Sequence, residues 1–216
     1  MAEFLTAKKR KKKSVTVAIS VILGLLTVLA LIFLFFNIWL YQRHFIVTVQ
    51  GDSMNTTLSS GDILYATRSA KNVSRGDVVI IDATEHPVYR NPDGSEKLLI
   101  KRLIAIEGDC VKCEDGYLYL KKAGEAEYGK LDEVYLTQTT DDFEEVVVGE
   151  GEIFFLGDNR ANSTDARRSG CMKQEDILGI VPKWAVKNKG AITRWEKFRK
   201  SVANFFTVDT VHRTGN

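Results

Sequence analysis

No charged residue interrupts the chain between Val15 and Tyr41, and almost every one of those 27 positions is apolar. A helix needs about 20 such residues to cross a bilayer core. One that is apolar on every face for seven turns has no side to offer to water. The pattern therefore predicts a retained transmembrane helix over residues 15–41. A removable leader has an apolar core of about 7–15 residues followed by a small-residue cleavage site. This segment is longer and ends in Asn37-Ile38-Trp39-Leu40-Tyr41-Gln42-Arg43, with Trp39 and Tyr41 where interfacial anchors belong.

Beyond residue 41 the pattern changes to short apolar and β-branched runs at 45–49, 63–67, 78–82, 97–106, 117–120, 146–148, 153–156 and 179–186. Turn signals separate them: Ser60-Gly61-Asp62, Arg75-Gly76-Asp77, Asn91-Pro92-Asp93-Gly94, Glu107-Gly108-Asp109, Asp115-Gly116 and Gly157-Asp158-Asn159. Short strands with closely spaced Gly/Asp/Asn turns predict a mainly β domain. No repeat or low-complexity linker divides it, so one domain over 42–193 is expected. The acidic, turn-rich residues 121–150 are the expected place for an insertion or a mobile loop. In the C-terminal segment, 194–216, Trp195, Phe198, Val202, Phe205 and Phe206 fall at helical spacing among Arg194, Lys197, Arg199 and Lys200. Such a basic amphipathic helix lies on a membrane surface or packs against the domain.

Charge assigns the orientation. Residues 1–14 carry six cations, Lys8 to Lys13 with Arg10 among them, against Glu3, a net +5, whereas the whole 216-residue chain is only +2. A basic tip beside a span belongs in the cytoplasm, which places everything from about residue 43 outside, in a single-pass cell-membrane protein. The remainder sums to −3 and carries no nucleic-acid footprint.

The chemistry is narrowed by what is scarce. His44, His86 and His212 are the three histidines, and none sits in a motif beside a nucleophile or carboxylate, as a Ser-His-Asp triad requires. Cys110 and Cys113 have zinc-like internal spacing, but Cys171 and scattered histidines are their only company. No metal and no cofactor is expected. A disulfide between Cys110 and Cys113 requires a turn. In an extended strand their Cα atoms stand about 10 Å apart on opposite faces, beyond the bridging limit of about 7 Å.

Three segments hold more than turn chemistry. The first is Gly51-Asp52-Ser53-Met54-Asn55-Thr56-Thr57-Leu58. In the second, Lys101 and Arg102 interrupt an apolar strand. Adjacent strand residues face opposite sides, so one cation points inward, unless the strand is an edge where lysine discourages aggregation. In the third, an apolar strand enters a dense polar loop, Gly157-Asp158-Asn159-Arg160-Ala161-Asn162-Ser163-Thr164-Asp165-Ala166-Arg167-Arg168-Ser169-Gly170.

In this order the segments resemble the nucleophile, lysine and final boxes of type I signal peptidases, membrane-bound serine endopeptidases that remove signal peptides from exported proteins. With its single anchor the chain looks most like the Gram-positive branch, and the resemblance spans residues 15–187. It implies the β fold of signal peptidases and repressor-type peptidases, with Ser53 as nucleophile and Lys101 as general base. It also implies Ser163 orienting the amine, an Asp165–Arg167 salt bridge, Asp158 paired with Arg102, and the Ser53 backbone N–H as oxyanion donor. A lysine amine is no base at neutral pH unless desolvation lowers its pKa, and Leu99, Ile100, Leu103 and Ile104 offer an apolar setting. Val49, Met54 and Ile100 are expected to wall shallow pockets for the small residues of Ala-x-Ala cleavage sites. The peptide would add as a strand beside 45–49 or 98–101.

The implied partners are signal peptides of preproteins, the lipid bilayer and a position near the secretion translocon. Ser53 follows the span by a dozen residues, a short tether to the place where a scissile bond emerges. The chain departs from the family pattern at Gly51, where some members carry a serine whose hydroxyl is a second oxyanion donor. It also departs at Thr56 for proline, Ala105 for glycine, Glu107 for proline and Ala166 for serine. The Thr56 exchange predicts a looser turn. Two rival readings fit less of the sequence. A self-cleaving repressor-type Ser-Lys peptidase carries a DNA-binding domain where this chain has its span. A non-catalytic anchored binding module leaves the joint presence of Ser53, Lys101 and the 157–170 loop unexplained.

Overall fold

The computed structural model describes residues 2–68 and 72–213 in two compact units that divide after Arg43. The first is one helix, α1 (Ala2–Arg43). Its portion Thr16–Arg43, 28 residues, is apolar and long enough for a single membrane pass, and none of its side chains is buried. The helix continues N-terminally through the basic tip, whose side chains at 8–13 lie outside the described ones.

The second unit is mainly β. Its strands are β1 (His44–Thr48), β2 (Ile63–Thr67), β3 (Val78–Asp82), β4 (Leu98–Ile106), β5 (Cys110–Glu114) and β6 (Tyr117–Lys121). They continue with β7 (Gly129–Lys130), β8 (Phe143–Val147), β9 (Glu152–Leu156), β10 (Met172–Lys173) and β11 (Ile177–Val181). A short helix α2 (Ala166–Ser169) precedes β10, and α3 (Lys183–Lys187) and α4 (Lys189–Arg213) follow β11. All pairings are antiparallel, in a seven-stranded sheet ordered β1-β2-β11-β3-β4-β9-β10 and a four-stranded sheet ordered β7-β6-β5-β8.

One apolar core joins the two sheets. Val79, Ile81, Leu103, Phe154 and Phe155 from the large sheet meet Val111, Leu118 and Leu120 from the small one, with almost no exposed area. Strands β3, β4 and β9 are central, which explains their nearly continuous apolar runs. Strands β1 and β10 close the large sheet at its edges.

Two expectations change. The run 179–186 does not form one strand: β11 stops at Val181, and Pro182 at φ −62° starts α3. Proline has no N–H for the ladder and fits a helix start. The acidic stretch 121–150 contains β7 and β8, and its residues 133–140 are fastened to the 157–162 loop. Charge there forms ion pairs with buried arginine instead of marking a loose excursion. Helix α4 packs on β2 through Ile192, Thr193 and Glu196, with the Tyr65 hydroxyl donating to Glu196 at 2.5 Å. Trp195 and Phe198 are exposed on another face, and the side chains of Val202, Phe205 and Phe206 lie outside the described ones.

The β2–β11 junction depends on a close approach. A Cβ at Gly179 would stand 2.3 Å from the Thr67 carbonyl oxygen and 2.7 Å from the Phe45 ring. The register between β11 and β3 also slips beside this glycine. Gly179→Ala is expected to destabilise the domain by roughly 1–3 kcal/mol, read as a lowered midpoint in urea unfolding; an unchanged midpoint would contradict this packing.

Candidate active site

Ser53 sits in a tight turn between β1 and β2. The turn is closed by Asn55 N–H to the Asp52 carbonyl at 3.0 Å, Thr57 N–H to Met54 at 3.0 Å and Leu58 N–H to Met54 at 2.8 Å. Met54 and Leu58 are buried at 1% and 0% exposure, so two apolar side chains hold the turn against the domain. Ser53 itself is half-buried.

Lys101 comes from the middle of β4. Alternation places Leu99, Lys101 and Leu103 on one buried face, at 8%, 4% and 0% exposure. The edge-strand alternative, a solvated lysine that discourages aggregation, fails because Lys101 is buried, even though on its half of β4 only β3 pairs, with Lys101 opposite Val79. Lys101 Nζ stands 2.6 Å from Ser53 Oγ and 3.2 Å from Ser163 Oγ. Burial pushes the Lys101 ammonium down from 10.5 to about 8; Asp165 and Asp158 oppose the shift, while Arg167 and Lys97 assist it.

The 157–170 loop supplies the rest. Arg167 Nε lies 2.9 Å from Asp165, and the Gly157 N–H donates to Asp165 at 3.0 Å. Burial raises the Asp165 carboxyl, but Arg167, the Gly157 N–H and Ser163 together hold it below the ordinary carboxylate range. Arg102, on the opposite face of β4 from Lys101, grips Asp158 through Nε at 2.8 Å and Nη2 at 2.5 Å. Ser163, Asp165, Arg167, Asp158 and Arg102 are thus brought together around the strand that carries Lys101.

Three contributors carry no role in the sequence reading. Asn159 ties its loop to the nucleophile turn, its N–H donating to the Ser53 carbonyl and its Nδ2 to the Asp52 carbonyl, each at 3.0 Å. Gly157 permits that approach. Tyr135, from a segment with no recognisable motif, covers Arg102 with its ring 3.8 Å from the guanidinium carbon. Asn159 and Gly157 were visible inside the Gly-Asp-Asn run, whereas Tyr135 had no local signal.

A cleft of about 1020 Å³ opens over the pair, lined along 45–54, 97–101 and 161–164. Val49, Met54 and Ile100 line it, as do Ser53, Lys101 and Ser163. Two strand edges border it: β1 is an edge strand, and β4 pairs with β9 only from Arg102 onward, leaving 98–101 open on that side. In a flat sheet β1 and β4 would stand about 19 Å apart, at about 4.8 Å per strand. One cleft shared by both therefore requires the sheet to curl.

Cys110 and Cys113 are free thiols on the extended β5, and Cys171 is also free. Burial pushes Cys113 and Cys171 up to about 11, which keeps both protonated. Among the described residues no group of three or more His, Cys, Asp or Glu is placed to hold a metal ion.

A serine hydroxyl against a desolvated amine, on an antiparallel β frame with no histidine among the described residues that line the cleft, has the form of a serine peptidase site. Comparison with known proteins narrows this. Residues 18–184 match the family described as signal peptidase, peptidase S26. Signal peptidase I of Bacillus licheniformis is 36% identical over 140 residues, covering 61% of this chain and 70% of that protein. Signal peptidase I U of Bacillus subtilis is 30% identical over 193 residues, covering 82% and 90% respectively. A solved signal peptidase I from Enterococcus faecalis aligns with 27% identity and a TM-score of 0.42, over 53% of this chain and all of that one. The chain belongs to the signal peptidase family, peptidase S26, and is a hydrolase of the signal peptidase I type.

At Gly157 a Cβ would lie 2.2 Å from Ser163 Oγ and 2.4 Å from the Ser53 carbonyl oxygen. Gly157→Ala must displace one of those groups, and displacements near 1 Å cost about 100-fold in rate. A fall in kcat of at least that order is expected while circular dichroism still reports a folded β domain. Full activity in this variant would contradict the site geometry.

Proposed function

We propose that this chain cleaves signal peptides from exported preproteins with Ser53 as nucleophile and neutral Lys101 as general base. The observation that carries the reading is the 2.6 Å contact between Ser53 Oγ and an amine that is 4% exposed. Without its proton, Lys101 takes the hydroxyl proton as Oγ attacks the scissile carbonyl, then returns it to the leaving amine. Ser163, 3.2 Å from Nζ, fixes the amine's direction. The Ser53 backbone N–H donates to the oxyanion as charge develops. Asp158, Arg102, Asp165 and Arg167 hold the loop and touch no reacting atom.

The substrate lies extended between β1 and 98–101, taking main-chain hydrogen bonds from two strand edges. Val49, Met54 and Ile100 bound shallow apolar spaces beside Ser53, suited to the small residues of an Ala-x-Ala site. The enzyme is a single-pass membrane protein with its basic tip in the cytoplasm and the β domain outside, working at the bilayer near the secretion translocon. The length and composition of Thr16–Arg43 and the +5 tip support that placement.

Ser53→Ala and Lys101→Ala are expected to abolish processing of a preprotein by the full chain while the domain stays folded; normal processing by both would sink the assignment. The pH profile follows from the amine. The neutral form is the base, so kcat/KM rises with pH through a midpoint near 8 and levels above it. A profile flat from pH 6 to 9 would remove Lys101 from the role.

The same burial acts on stability with a defined sign. Lys101 titrates near 8 when folded and near 10.5 when unfolded, so the native state resists protonation. The cost, about 3 kcal/mol, is fully present below pH 8 and vanishes as pH rises past 10.5. Lys101→Met is therefore expected to be inactive yet to melt higher than the parent at pH 7, the difference shrinking between pH 8 and 10.5. A variant less stable than its parent at pH 7 would contradict this account.

A further inference from the structure

Thr56 stands three residues past Ser53 with φ of 86°. That region is rarely adopted by β-branched residues, and a proline ring, which fixes φ near −65°, cannot enter it. A strained backbone persists only where its surroundings over-determine it. Here the surroundings are specific: Thr56 Oγ1 donates to the Tyr135 carbonyl at 2.8 Å, across 79 residues of chain. The turn expected to be loose without proline is pinned by a long-range bond that the threonine itself supplies.

The acceptor is firmly held. The Tyr135 ring stacks on Arg102, the strand neighbour of Lys101, and its hydroxyl donates to Glu133 at 2.6 Å. Glu133 forms an ion pair with Arg160, which is 2% exposed and also donates to Thr140. The Gln138 amide meets the Asn159 side chain at 2.9 Å. These partners lie beside Lys101 or in the loop that carries Ser163. Residues 133–140 therefore touch all three segments whose relative placement sets the Ser53–Lys101 distance.

We propose that residues 133–140 are a strap that positions the nucleophile, with Thr56 as the positioning residue through which it acts on Ser53. The inference rests on the Ser53–Lys101 reading above. Thr56 is exposed, does not line the cleft and touches no reacting atom. Loss of its hydroxyl frees the turn to relax toward negative φ, which swings the peptide planes that carry Ser53 and moves Oγ off the amine. Substrate binding along the strand edges is not disturbed, so kcat falls and KM does not.

The test compares Thr56→Val, Thr56→Gly and Thr56→Ser in the full chain in detergent, cleaving a preprotein with small residues at its cleavage site. Valine keeps the shape without the hydroxyl, glycine relieves the strain without the hydroxyl, and serine keeps the hydroxyl. Thr56→Val is expected to lose about tenfold in kcat, the order of one hydrogen bond, with KM within about twofold. Thr56→Gly shows a similar kcat loss with its melting temperature maintained, which separates positioning from stability; Thr56→Ser restores kcat. Parental kcat in both Val and Gly variants, with Ser53→Ala and Lys101→Ala inactive in the same assay, overturns the strap and leaves the Ser-Lys reading standing. Failure of serine to restore kcat, or a loss confined to KM, also overturns it. Activity surviving in Ser53→Ala or Lys101→Ala overturns the underlying reading instead.

Discussion

A lysine serves as a base near neutral pH only if water is kept from its ammonium and no carboxylate settles against it, and the role proposed for Lys101 imposes both conditions on the domain. Burial on the Leu99–Leu103 face meets the first. The second is harder, because Asp165 and Asp158 lie close enough to favour the charged form. Each acid is already engaged, Asp165 with Arg167 at 2.9 Å and Asp158 with Arg102 at 2.5 Å. The ion pairs thereby stiffen the loop that presents Ser163 and leave the amine with hydroxyl neighbours. Removing either arginine would leave a buried carboxylate free to recharge the lysine, so these pairs protect the base as much as they brace the fold.

The sheet resolves a second conflict. In the proposed mechanism Lys101 is interior, yet a peptide must reach the serine beside it. Strand β4 is central along most of its length, but β9 joins it only from Arg102, so the half that carries Lys101 keeps one edge open. Curling brings the outer strand β1 across to border the same cleft. The lysine is thus sealed by its side-chain face and accessible through its backbone edge. A register slip between Leu103 and Ala105 then turns Ile104 inward as well, so Leu103, Ile104 and Ala105 are all buried where strict alternation would expose one.

Local pattern carried most of the strands because alternation and turn residues act over a few positions: β2 and β3 have the bounds read from their apolar runs. It failed at Pro182, where apolar Trp184, Ala185 and Val186 read as strand but a missing N–H and a fixed φ begin a helix. It also failed for β5, whose Lys112 and thiols masked an edge-to-core alternation visible only beside β6 and β8. For the site, Ser53, Lys101 and the 157–170 loop were legible because each is a dense local cluster of chemistry. Tyr135 and Glu133 were not, since an aromatic ring on Arg102 or an acid on Arg160 depends on chain returning from far away. The positive φ of Thr56 was equally hidden: comparison with a proline predicts slackness, while the fold uses the residue in a conformation proline cannot take.

A Ser-Lys pair of the kind proposed lacks the third group with which a triad orients its base, and here that task would be distributed. Ser163 lies 3.2 Å from Nζ and also helps to keep Asp165 charged, and Asp165 is fixed by Arg167 and the Gly157 N–H. On the other side, Asn159 grips the carbonyls of Asp52 and Ser53, so the loop that contacts the Lys101 amine also anchors the Ser53 turn. Both ends of the 2.6 Å contact are therefore referred to one element, residues 157–167. In the proposed mechanism proximity of that quality substitutes for intrinsic reactivity: an amine titrating near 8 is a modest base at neutral pH, and the hydroxyl it would deprotonate is already in contact. The close packing at Gly157 follows from the same requirement, since any side chain there would stand between the two groups that the loop exists to bring together.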